Sequence, residues 1–132
     1  MELLFILYLC RASRRRRSLI VSGGALIANA EIYNYLELRA TLGDIPQTTQ
    51  SDCEPPLHLY RRDGLSFTDS LRGMYAIAIH DPVEARLVLT RDPFGIKPLY
   101  YVETDDHFAF ASEPQALLAA VHAVSSSEAP PG

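Results

Sequence analysis

The chain has 132 residues, of which 48% are apolar, and a net charge of −4. That is enough chain for one domain with a real core, and too apolar for a disordered one. The charge is uneven: residues 1–28 hold Arg11 and Arg14 to Arg17 against Glu2 alone, so the remainder is acidic and excludes nucleic acid as its expected partner.

Cys10 and Cys53 are the two cysteines. They make no CxxC and have no His at ligand spacing, so they define neither a disulfide framework nor a zinc site. A disulfide and two thiols both stay open, and a reduced, cytoplasmic protein is the expectation. The apolar run Leu3–Leu9 is too short to span a bilayer. Its basic residues follow it, whereas a signal peptide places them first. Residues 1–22 are therefore read as a basic and apolar leader, foreign to the fold that follows. A short basic membrane-associated protein is kept as one alternative.

Gly23-Gly24 marks a turn, and Ala25–Ala28 is a short apolar strand. Tyr35, Leu38 and Leu42 then recur at helical spacing, and Gly43 ends that helix. Ser51-Asp52-Cys53-Glu54 reads as an S-x-x-E capping box, with Pro55-Pro56 in the first turn and Gly64 as the stop. Phe67–Leu71 is a short third helix. From Met74 the period becomes two: Met74–His80 and Arg86–Thr90 pair across Asp81-Pro82, and Leu99–Val102 and Phe108–Ala111 pair across Asp105-Asp106. Pro114–Val121 is the last helix, and 122–132 is a disordered tail. Strand, helices, then an antiparallel meander make an α+β layered domain.

Four blocks in one order carry a resemblance: ANAEIYNYLELR (28–39), SDCEPPLHLY (51–60), LRGMYAIAIHDPVEARLVLTRDPFGIKPLYY (71–101) and FAFASEPQALL (108–118). Together they resemble the class II (type 2) glutamine amidotransferase domain of glutamine-hydrolysing asparagine synthetases, truncated at its N-terminus. The match runs from Ala25 to Leu118, and 23–121 is taken as that domain. The resemblance implies the αββα sandwich of N-terminal-nucleophile hydrolases, incomplete at its N-terminus. It also implies the activity: glutamine is hydrolysed to glutamate, and the ammonia serves asparagine formation.

In that family the nucleophile is a cysteine at the amino terminus, whose own α-amino group acts as base. Position 2 here is Glu2, so no residue takes that role and the chain is expected to be catalytically incomplete. Asn29 matches the family asparagine of the oxyanion hole. Ala30 stands where the family has Gly, the second donor; it keeps the N–H, but a conformation with φ > 0 would cost its Cβ about 1–2 kcal/mol. Glu31 and Asp52 match the carboxylates that hold the α-amino group of glutamine. The family's arginine for the α-carboxylate finds no counterpart, because Arg14 to Arg17 stand too close to Asn29 along the chain. Arg91, Asp92, Gly95 and Lys97 form the shared RDPxG turn, read as structural support. Tyr75, Tyr100, Tyr101 and Phe110 are read as core.

Glutamine is the expected ligand, and no cofactor or metal is expected within the chain. ATP and Mg²⁺ belong to the family's synthetase domain, and no SGGxDS-type loop occurs here. A synthetase C-terminal domain encoded separately and a homodimer are the further partners considered. The alternative within the same fold is a non-catalytic amino-acid-binding or assembly module.

Overall fold

A nine-residue strand, Gly24–Ile32, buries every second residue from Leu26 on and carries three of the candidate site residues. The computed structural model describes residues 16–21 and 24–127. The elements are β1 (Arg16–Val21), β2 (Gly24–Ile32), α1 (Tyr35–Leu42), α2 (Glu54–Asp63), a 3-10 helix (Gly64–Ser70), β3 (Gly73–Asp81), β4 (Arg86–Arg91), β5 (Tyr100–Glu103), β6 (Phe108–Ala111) and α3 (Pro114–Ser127). The chain divides into two compact units. One, residues 14–97, holds the antiparallel sheet β1-β2-β3-β4 with α1, α2 and the 3-10 helix; the described part of the other, 98–127, holds the β5-β6 hairpin and α3.

In β2 the even residues Leu26, Ala28, Ala30 and Ile32 are buried and the odd ones are half-buried. A period of two puts all four on one face. They join Leu38, Leu42, Leu57, Leu59, Tyr60 and Phe67, so α1, α2 and the 3-10 helix share the core of that face. Each large side chain removed from water there contributes about 1.5–3 kcal/mol. Tyr60 and Phe67 meet edge to face, 5.7 Å between ring centres. Residues Tyr75 to Ile79 of β3 are buried on both faces, as a central strand requires.

Glycines end both helices as the sequence predicts: Gly43 at φ 58° after α1 and Gly64 at φ 66° after α2. Asn34 ties the start of α1 to the entry of β3. Its Nδ2 donates to Ser70 O at 2.9 Å, and its Oδ1 accepts from Arg72 N at 3.0 Å.

Four expectations need correction. The segment 1–22 is not wholly foreign to the fold: Arg16–Val21 is a strand of the main sheet, in register with Gly24–Asn29. The serine-rich tail also differs from expectation, because α3 continues through Ser127. Ser125 Oγ donates back to Val121 O at 3.0 Å, so the hydroxyl is satisfied within the helix itself. Residues 1–15, 22–23 and 128–132, with Cys10, lie outside the described residues. The short third helix expected at Phe67–Leu71 starts earlier, at Gly64, ends at Ser70 and is of the 3-10 type. Tyr75 and Phe110 are buried as expected, but Tyr100 and Tyr101 are exposed, with Tyr101 stacked on Phe108 across the hairpin at 5.8 Å.

Candidate functional site

Asn29, Ala30 and Glu31 lie inside β2, not in a turn after it, because the strand runs on to Ile32. Asn29 and Glu31 therefore share the face opposite the helices, and Ala30 turns its methyl into the core. Among the described non-glycine residues only Ala85 has positive φ, so Ala30 sits in ordinary strand geometry. The strain that a glycine-to-alanine replacement could bring is absent.

Backbone donors along a strand point alternately to its two neighbours. The Tyr33 N–H goes to Arg72 O at 2.7 Å, on the β3 side. The N–H groups of Ile32 and Ala30 accordingly point to the other side, where β1 pairs. Its described register ends at Arg16 opposite Asn29. Beyond that point the Ile32 N–H meets Asp52 Oδ2 at 2.9 Å. Asp52 thus reaches the strand end that carries Asn29, Ala30 and Glu31, from 20 residues away in sequence. Its Oδ1 is approached by the Cys53 thiol, 3.7 Å away, and that thiol is buried.

The segment before α2 is held by a network that differs from the predicted capping box. The N-cap, Cys53, makes no side-chain cap bond, and Glu54 does not reach back to Ser51. Glu54 is instead wholly buried. Its carboxylate accepts from the Thr48 N–H (2.6 Å), the Thr48 hydroxyl (3.0 Å), the Thr49 N–H (2.6 Å) and the Thr49 hydroxyl (2.6 Å), with His58 Nε2 at 3.2 Å one turn along. Burial alone would raise its pKa; the donors from Thr49, Thr48 and His58 outweigh that and lower it to about 2. Arg39 Nη2 donates to both Thr49 O and Ser51 O at 2.8 Å. Neither Glu54 nor Arg39 was singled out for the site from sequence. The only signal was their spacing from Asp52, which does not say where a side chain points.

The RDPxG turn has the supporting role expected of it. Asp92 is buried and accepts from the N–H groups of Tyr75 (3.2 Å), Phe94 (3.1 Å), Ile96 (3.0 Å) and Lys97 (3.2 Å). Burial pushes its pKa up, but these four donors leave it lowered. Arg91 Nη2 donates to Gly95 O at 2.6 Å, so the conformation of the turn is closed by its own arginine.

Along the chain Arg16 stands too near Asn29 to match the family's arginine. Antiparallel pairing turns that proximity into register, with Arg16 level with Asn29. A cavity of about 500 Å³ lies at the other end of β2, lined by Gly24, Tyr60, Arg61, His80, Asp81 and Arg86 among others, and touches none of the four site residues. Among the described residues no three His, Cys, Asp or Glu side chains gather as a metal ion would need. No helix among the described residues is long and apolar enough to cross a membrane.

Comparison with known proteins identifies the family. A family described as glutamine amidotransferase domain matches residues 11–119, a span that starts inside the segment read as a leader. Asparagine synthetase [glutamine-hydrolyzing] 2 of Bacillus subtilis (strain 168) is 45% identical over 97 residues, covering 74% of this chain and 13% of that protein. Asparagine synthetase B [glutamine-hydrolyzing] of Escherichia coli (strain K12) is 45% identical over 96 residues, 70% of this chain and 17% of that protein. The chain therefore spans a small part of the length of these relatives. Among solved structures, the glutamine phosphoribosylpyrophosphate amidotransferase of B. subtilis, complexed with ADP and GMP, matches with a TM-score of 0.59 and 30% identity, over 74% of this chain and 24% of that one. The mixed α/β fold is that of the N-terminal-nucleophile hydrolases. By the span of that match and the blocks it contains, the chain belongs to the glutamine amidotransferase domain family.

Proposed function

We propose that the chain is the glutamine-binding part of a glutaminase that supplies ammonia for asparagine formation. The observation that carries this reading is the seat of Asp52 on the Ile32 N–H, at the end of the strand bearing Asn29 and Glu31. In the proposed chemistry a thiolate attacks the side-chain amide of glutamine, and the carbonyl oxygen gains negative charge. Asn29 Nδ2 and the Ala30 N–H donate to that oxygen, where preorganised donors act most strongly. Glu31 and Asp52 accept from the α-ammonium by charge-assisted bonds. The thiolate and its base belong together on a terminal cysteine, which the 132 residues do not contain, since their cysteines stand at 10 and 53. The ATP- and Mg²⁺-using step falls to a synthetase domain outside these 132 residues. That domain, a homodimer and a cytoplasmic location are parts of the same proposal.

The test is a glutamine titration of the 132-residue chain followed by ¹⁵N NMR, beside Asp52→Asn. Glutamine should shift the Ala30 and Ile32 amides, and the variant should bind about tenfold more weakly, roughly 1.4 kcal/mol. Glutamate release should be undetectable until a segment beginning with cysteine is joined ahead. No shift at Ala30 or Ile32 at saturating glutamine would sink the reading.

A further inference from the structure

We propose that Glu54 is a positioning residue, which fixes the segment carrying Asp52 and so sets where the Asp52 carboxylate stands. Its consequence for binding rests on the role given to Asp52 above; its geometry does not. Glu54 cannot touch a ligand itself. It is wholly buried, and both oxygens are engaged: Oε1 by Thr48 and His58, Oε2 by Thr49.

The contacts lead from Glu54 to Asp52 in three steps. Glu54 holds the Thr49 hydroxyl as an acceptor (2.6 Å); that hydroxyl in turn accepts from the Ser51 N–H at 3.1 Å, and Ser51 Oγ accepts from the Cys53 N–H at 3.1 Å. Asp52 lies between the two residues so held. Among the described residues its own side chain has one strong bond, to Ile32 N, and one weak contact with sulfur. The backbone network must therefore supply the rest of its placement. A neutral amide at position 54 has the same shape but turns an N–H₂ toward the donors of one threonine, so it loosens the segment without emptying the core.

The experiment measures amide hydrogen exchange and glutamine affinity in the 132-residue chain, Glu54→Gln, Thr49→Val, Asp52→Asn and the double variant E54Q/D52N. Glu54→Gln should speed exchange at Ile32 about tenfold relative to Ile77 in the central strand, a ratio that uniform loss of stability does not move. Thr49→Val should give the same ratio change in a milder form, and it carries the test if Glu54→Gln does not fold. Glutamine affinity should fall about tenfold in Glu54→Gln but no further when Asp52 is already Asn, since residues acting through one another are not additive. Full additivity, or an unchanged Ile32 to Ile77 ratio in both variants, overturns the proposal. If Ile32 loosens while the unaltered chain binds no glutamine, the positioning stands and the glutamine reading fails.

Discussion

Asp92 and Tyr75 hold each other twice: the Tyr75 N–H donates to Asp92 Oδ2 at 3.2 Å, and the Asp92 N–H donates to Tyr75 O at 2.8 Å. Tyr75 is the register partner of Ala30, so the RDPxG turn is anchored to the strand directly beside the proposed oxyanion donor. Four backbone N–H groups converge on this one carboxylate. Asp92→Asn offers a single acceptor oxygen and turns an N–H₂ toward donors. Its expected cost is about 2–4 kcal/mol, read from urea unfolding, with a change in the Ala30 and Tyr75 amide shifts. A variant as stable as the parent would show that the turn does not brace the sheet.

Ala30→Gly tests the strand geometry of the site. The position has no positive φ, and its methyl is buried, so glycine relieves nothing here. It adds backbone freedom to the unfolded chain and removes a packed methyl group. A loss of about 1–2 kcal/mol is expected from thermal or urea unfolding. A gain in stability would mean that alanine is strained at this position after all.

Gly73 is where β3 crosses closest to the end of β2. A Cβ there would stand 2.0 Å from Glu31 O, on a backbone with φ 150°. Gly73→Ala must therefore push the Glu31–Ile32 segment away or break the pairing. About 3 kcal/mol or more should be lost, and the Glu31 and Ile32 amides should shift before any others. Wild-type-like spectra would show that the two strands part without cost.

Glu54 makes stability depend on acid. Its folded pKa, about 2, lies below the ordinary 4.5. A depressed folded pKa means that the stabilisation is fully present above the unfolded value and is lost as pH falls through the folded one. The window is about pH 4.5 down to 2, and the amount on the order of 3 kcal/mol. Asp92, also lowered, adds in the same direction. Urea midpoints of the parent and Glu54→Gln should therefore converge as the pH drops from 5 to 3. Parallel curves over that range would remove Glu54 as a source of the acid dependence.

Much of this fold was legible because its signals are local. Alternating residues from 74 to 80 become β3, glycines at 43 and 64 stop the two helices, and the DP turn at 81–82 joins β3 to β4. Arg16–Val21 is not legible as a strand because a run of arginines reads as composition, whereas its pairing is decided by the neighbouring strand, Gly24–Asn29. Tyr100 and Tyr101 are exposed where core is expected, because strand spacing shows that faces alternate but not which face is covered.

For the site, the sequence by itself determined which residue types stand in which blocks, and hence the family and the four candidates Asn29, Ala30, Glu31 and Asp52. Only the tertiary structure decided how they act together. It set Asn29 and Glu31 on one strand face, turned Ala30 into the core without strain, and brought Asp52 to the Ile32 N–H. It also changed Glu54 from a helix cap into a buried clamp on Thr48 and Thr49. The physical reason is range: propensity and periodicity act over one or two turns of chain. Which carboxylate finds which N–H depends on which distant segment packs against the end of a strand.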